Sequence, residues 1–101
     1  MDPHVVDHGP GYSRDRRFFE GHFPGNPIVP GAVLLAQLSA DLATQGQRIT
    51  HVIRMKFVRP LSPDQPFEIE LTPAGENWRA DFSDAGGPLA RAAIKITPLD
   101  D

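Results

Sequence analysis

From Ala32 to Gln45 the chain carries apolar or small side chains on almost every side of a helix. Leu34, Leu35, Leu38 and Leu42 form one stripe, and Ala32, Val33, Ala36, Ala40 and Ala43 cover most of the remaining surface. Pro30 or Gly31 begins the helix at no cost in hydrogen bonds, and Gly46 stops it. A helix that is apolar nearly all round has to be buried. The sequence has 101 residues, enough for one small domain over 1–101 with a limited core. Covering this helix therefore takes a wrapping sheet, a second subunit, or both.

After Gly46 the apolar period changes from that of a helix to two. Ile49, His51, Ile53, Met55 and Phe57 alternate with Thr50, Val52, Arg54, Lys56 and Val58, a long half-buried strand. Phe67, Ile69 and Leu71 begin a second strand, Trp78, Ala80 and Phe82 a third, and Ala90, Ala92, Ile94 and Ile96 a fourth. Turns fall at 60–66, at 73–77 and at Asp84-Ala85-Gly86-Gly87, the last a hairpin signal. A shorter strand is expected near His4–Asp7. The pattern predicts an α+β domain: four hairpin-connected antiparallel strands, with one or two short ones, curling around one central helix.

The segment entering the helix reads Gly21-His22-Phe23-Pro24-Gly25-Asn26-Pro27-Ile28-Val29-Pro30-Gly31, preceded by Phe18-Phe19-Glu20. Prolines at every third position fix φ and make the loop stiff and extended. A stiff loop carrying a titratable ring suits a positioned functional group. It equally suits a rigid connector whose histidine caps a backbone carbonyl.

This same segment resembles the signature loop of the hotdog-fold 3-hydroxyacyl-[acyl-carrier-protein] dehydratases. Met55-Lys56-Phe57-Val58-Arg59-Pro60-Leu61-Ser62-Pro63 resembles the strand and turn that follow in that family. The resemblance runs from about Phe18 to the end of the chain. It implies a hotdog fold paired into a dimer, with the two helices close together and the sheets continuous. It also implies an acyl chain held in a tunnel lined from both subunits, with Phe19, Phe23, Ile28, Pro30, Val33 and Ala36 as candidate contacts. No cofactor is implied. One departure stands out: the family places an acidic residue fourteen positions after the histidine, and here that position is Ala36.

Dehydrating a 3-hydroxyacyl thioester needs a base, an oxyanion donor and an acid. His22 suits the base, because imidazole titrates near working pH. Gly31 suits the donor, with a backbone N–H at the positive end of a helix and no side chain to hinder approach. The resemblance assigns these roles to the same two residues. The acid is missing at Ala36; Gln37 is adjacent but cannot ionise, which leaves Asp41, Glu20 or a water as substitutes. The expected function is a dehydratase-like protein acting on acyl-carrier-protein thioesters in fatty-acid or polyene-type synthesis. A non-catalytic acyl-binding subunit, paired with an active homologue, and an acyl thioesterase are the alternatives.

The chain has no cysteine, so disulfides, thiolate metal sites and a cysteine nucleophile are excluded. A net charge of −3 disfavours nucleic acid as partner. No apolar run reaches the length of a membrane span, and no signal-peptide pattern is present, so a cytoplasmic protein is expected. His4 and His8 have the spacing of a helical metal pair, but they precede Gly9-Pro10-Gly11 and lack further ligands. An acidic carrier protein or a free acyl thioester is the expected partner, with Arg14, Arg16, Arg17, Arg54, Lys56 and Arg59 as contacts, in a homodimer or a heterodimer with an active homologue.

Overall fold

The computed structural model describes residues 4–14, 16 and 28–99. Along the chain come β1 (His4–His8), α1 (Gly31–Ala43), β2 (Gln47–Phe57), β3 (Phe67–Ala74), β4 (Asn77–Asp84) and β5 (Gly87–Pro98). The strands form one antiparallel sheet in the order β1-β3-β4-β5-β2. This corrects the expectation of four strands joined by successive hairpins. Only β3, β4 and β5 form a meander; β2 lies on the far side of β5. The chain leaving β2 is held against β5 by Val58 N–H donating to the Leu89 carbonyl (2.8 Å). It then crosses back beneath the sheet through the buried Leu61 to reach β3.

One face of the sheet is apolar. Register places Ile69, Phe82 and Ala90 in one row and Leu71, Ala80 and Ala92 in the next. All six are buried, and they pack with Leu34, Leu38 and Leu42 of α1 into a single core. Burial follows the alternation closely in β3, where Phe67, Ile69 and Leu71 are buried and Glu68 and Glu70 exposed. The turn between β3 and β4 is tighter than expected. Pro73 pairs with Trp78 inside the hairpin, beyond the end of β1, so the N–H it lacks is not needed by a neighbouring strand.

Two sequence expectations about burial are revised. The helix ends at Ala43, and Gly46 takes φ 72° just after it, where a Cβ would be strained. Only Leu34, Leu38 and Leu42 are buried, whereas Ala32, Ala36, Ser39, Ala40 and Ala43 are exposed in the single chain. The sheet covers one side of α1 and leaves a stripe of small residues open. In β2 the predicted inward set splits. Ile49 and Met55 are partly buried, but His51, Ile53 and Phe57 are exposed. Register shifts between Ile49 and His51 and between Val52 and Arg54 break the alternation.

Candidate functional site at the start of the helix

Pro30 is the N-cap residue, extended at φ −60° and ψ 143°, and Gly31 opens the helix. Among the described residues no side chain caps this end, and the first turn has no acidic residue. The first N–H groups of the helix and the positive end of its dipole thus meet no capping carboxylate among the described residues. Val33 N–H bonds back to the Pro30 carbonyl (2.9 Å) and tightens the first turn. Val29 is buried and donates to the Leu61 carbonyl (2.8 Å), which fixes the approach to the helix.

Beside this helix start lies an apolar pocket of about 370 Å³. Ile28, Pro30, Gly31, Leu34, Phe57 and Leu61 are among its walls. The Phe57 ring explains why position 31 is glycine. A Cβ built there would come within 2.5 Å of the ring's Cε1. The ring is 56% exposed and stands at the pocket mouth. Pairing with the buried Ala90 keeps Phe57 on the side of β2 that faces the helix, the side it shares with Ile49 and Met55 in the alternation, because the two register shifts before it cancel.

The candidate residues divide accordingly. Ile28, Pro30 and Gly31 come together at the pocket. Val33 is half-buried against the core, and Ala36 sits exposed about 7.5 Å along the helix axis from Gly31. His22, Phe19 and Phe23 lie outside the described residues, as do Glu20 and Arg17.

Asp41, one substitute for the missing acid, and the neighbouring Gln37 are both engaged elsewhere. Asp41 lies about 15 Å along the helix from Gly31, toward its other end. It accepts hydrogen bonds from His8 Nε2 (2.7 Å) and Gln37 Nε2 (3.0 Å). Gln37 Oε1 in turn accepts from the Tyr12 hydroxyl (2.9 Å). His8 and Tyr12 both pack on the Phe67 ring. Burial holds the Tyr12 phenol above its ordinary value; nearby Arg16 opposes this and Asp41 adds to it. This chain of hydrogen bonds ties β1 and the segment after it to the helix, with Asp41 as the partner of His8.

The proposed basic contacts are also redistributed. The Arg59 guanidinium grips the Asp84 carboxylate, with Nη1 to Oδ2 at 3.1 Å, and donates to the Gly87 carbonyl (3.0 Å). Arg16 lies over the Tyr12 ring, 5.6 Å from its centroid. Neither is a free cation, whereas Arg54 and Lys56 are exposed on β2. No helix of the described residues is long and apolar enough to cross a membrane.

Similarity to known proteins agrees with this geometry. The chain is similar to a 3-hydroxyacyl-[acyl-carrier-protein] dehydratase FabZ from Legionella pneumophila, 33% identical over 81 residues, covering 64% of this chain and 54% of that protein. It spans about half the length of the curated relatives it matches first. An uncharacterized protein from Erwinia carotovora subsp. atroseptica superposes with a TM-score of 0.71 at 23% identity, over 98% of this chain and 84% of the other. A chain of the dehydratase heterocomplex ApeI:P from Xenorhabdus doucetiae gives 0.73 at 18% identity, over 95% and 98%. These structures share its fold, a single helix packed on a five-stranded antiparallel sheet, the hotdog arrangement. Residues 11–89 match the family model described as ApeI dehydratase, a span that holds the helix start, the pocket and most of the sheet, and the chain belongs to this ApeI-like family.

Proposed function

We propose that this chain is a hotdog subunit that binds 3-hydroxyacyl thioesters at the start of α1 and dehydrates them. The observation that carries the reading is the helix start at Gly31, uncapped among the described residues and opening onto an apolar pocket. An apolar pocket with a convergent polar feature suits an acyl chain ending in a polar thioester. In the proposed reaction His22 removes the proton next to the thioester carbonyl. The Gly31 N–H and the helix dipole stabilise the charge that moves onto the carbonyl oxygen. The C–O bond to the hydroxyl then breaks, a double bond forms, and the hydroxyl departs with an acquired proton as water. Position 36 offers no proton, so that proton comes from Glu20, a water or a neighbouring subunit.

Pairing is part of the proposal. β2 is an eleven-residue strand at the edge of the sheet, bonded to β5 on one side only. It exposes Val52, Ile53 and Phe57, and Val58 follows it, each between 42% and 57% accessible. Such an edge suits addition of a second sheet, either from another copy or from a related subunit. Heteromeric pairing draws support from the Xenorhabdus assembly, whose description names a heterocomplex. In that second reading a partner supplies the acid and this chain supplies the pocket.

The test is turnover of 3-hydroxyacyl thioesters of several chain lengths, followed by enoyl absorbance and, separately, by release of free thiol. His22→Ala should abolish turnover with little change in the thermal midpoint. Ala36→Glu should raise dehydration by ~10²-fold if the acid is simply absent. Turnover that survives His22→Ala removes the site assignment. Thiol release without enoyl product makes the protein a thioesterase.

A further inference from the structure

The pocket beside Gly31 has a floor and a rim. Val29, Leu34 and Leu61 form the floor; each is at most 4% exposed and belongs to the core. Phe57 and Val58 form the rim and are exposed. The backbone holds this rim in place. Phe57 pairs with Ala90 at the end of β2, and Val58 N–H donates to the Leu89 carbonyl (2.8 Å). Arg59 N–H donates to the same carbonyl (3.2 Å), and its guanidinium grips Asp84. From this anchored strand the Phe57 ring reaches Gly31 with its far edge foremost. A Cβ at position 31 would meet Cε1 at 2.5 Å and Cε2 at 3.2 Å, with Cζ between them. That Cβ is a methyl-sized probe, so a methyl group does not fit between the ring edge and this backbone. Cβ bonds of a helix tilt toward its N-terminus, and its first N–H groups point the same way. The ring edge therefore stands beside the space into which those N–H groups point.

We infer that Phe57 is the residue that rejects acyl groups branched at the carbon next to the thioester carbonyl. This rests on the function proposed above, in which the carbonyl oxygen accepts from the Gly31 N–H. Four bonds leave the carbon in question. One goes to the carbonyl, one to the rest of the acyl chain, and one to the proton that the base removes. The chain takes the apolar floor at Leu34 and Leu61, and the fourth bond is left to the rim. A hydrogen on that bond fits against the ring edge. A methyl group meets the overlap that a Cβ on Gly31 would meet. The ring cannot yield cheaply, because β5 fixes the backbone on both sides of it. The floor thus governs how long an acyl chain can be, and the ring governs how bulky it can be beside the carbonyl. A 2-methyl substrate still has one hydrogen on that carbon, so elimination remains open to it and shape alone sets it apart. Excluding one such group is worth about 10–200-fold in kcat/KM.

The probes are pantetheine thioesters of 3-hydroxyoctanoate, 2-methyl-3-hydroxyoctanoate and 3-hydroxybutyrate, turned over by wild type, Phe57→Leu and Phe57→Ala. Binding of the unreactive octanoyl- and 2-methyloctanoyl-pantetheine is measured in parallel by calorimetry. Wild type should prefer the unbranched octanoyl substrate. Phe57→Ala should narrow that preference by about tenfold or more, and Phe57→Leu should narrow it less. The ratio of octanoyl to butyryl turnover should stay as in wild type, since the floor is untouched. A ring with a purely structural role would lower every substrate alike and leave all ratios fixed. The inference is overturned by a branched-to-unbranched ratio that is the same in all three proteins, or by a variant that shifts chain-length preference alone. It is also overturned if wild type binds neither octanoyl thioester. Binding that discriminates in wild type and not in Phe57→Ala, without turnover of any substrate, leaves the ring's role standing and removes the dehydratase reading.

Discussion

Strands β2 and β3 carry similar sequence patterns and end in opposite surroundings. Each alternates apolar and polar residues over most of its length. β3 lies between β1 and β4, and its three inward residues are at most 3% exposed. β2 has a neighbour on one side only, and its Ile53 is 49% exposed. Alternation reports that a strand has an apolar face. It does not report how many strands flank it or whether its own subunit covers that face. The surplus of apolar surface on β2 is the part of the pattern that a single chain leaves unused.

The sharpest way to separate the two strands is to truncate each. Ile69→Ala on β3 should cost about 2–5 kcal/mol in chemical denaturation, because the cavity opens inside a closed core. Ile53→Lys on β2 should change the stability of the isolated chain far less. Its effect should fall on self-association, measured by light scattering across a concentration series. A concentration-dependent unfolding midpoint in wild type, lost in Ile53→Lys, would place the interface on β2. Equal losses of stability from both changes would mean that β2 is as enclosed as β3.

A smaller effect concerns how the end of β2 is fastened to the β4–β5 hairpin. The hydrogen bonds from Arg59 hold the Asp84 carboxyl below its ordinary value of 3.8, outweighing the opposing effect of burial. A carboxylate depressed in the folded state stabilises it above the unfolded value and loses that contribution as pH falls through the folded one. Asp84→Asn should therefore be less stable than wild type at neutral pH, and the gap should close below about 3.8. Thermal midpoints measured between neutral and strongly acidic pH check this. A gap that is constant over the range would mean that the pair contributes nothing through its charge.

Much of the fold was legible because local signals agreed with the global arrangement. Gly46, the leucines at 34, 38 and 42, and the Ala85-Gly86 turn each specify a local conformation that the structure adopts. Strand order was not legible, because the connection at 58–66 encodes no partner for β2; long-range pairing decided it. The helix looked buried on every side because its exposed face consists of alanines and one serine, residues that suit either solvent or a close neighbour. At the site, Gly31 and Pro30 could be placed from the chain alone. The contact of Phe57 with Gly31 could not, since it joins residues 26 apart that meet only once β2 and α1 are packed. The engagement of Asp41 was equally hidden. Its partner His8 is 33 residues away in sequence and meets it only once β1 has joined the sheet.

An open edge eleven residues long also bears on how the chain is made. Its unpaired backbone groups can template any extended segment they meet, and the strand has no proline to refuse one. During synthesis the correct partner competes with every other nascent strand for that edge. Arg48, Arg54 and Lys56 discourage indiscriminate pairing by repelling a stacked copy of themselves in register. They offer no such defence against a foreign acidic segment. If the edge accepts a second subunit, the yield of folded protein would depend on how promptly that subunit arrives, and co-production with a partner would bear on aggregation as much as on activity.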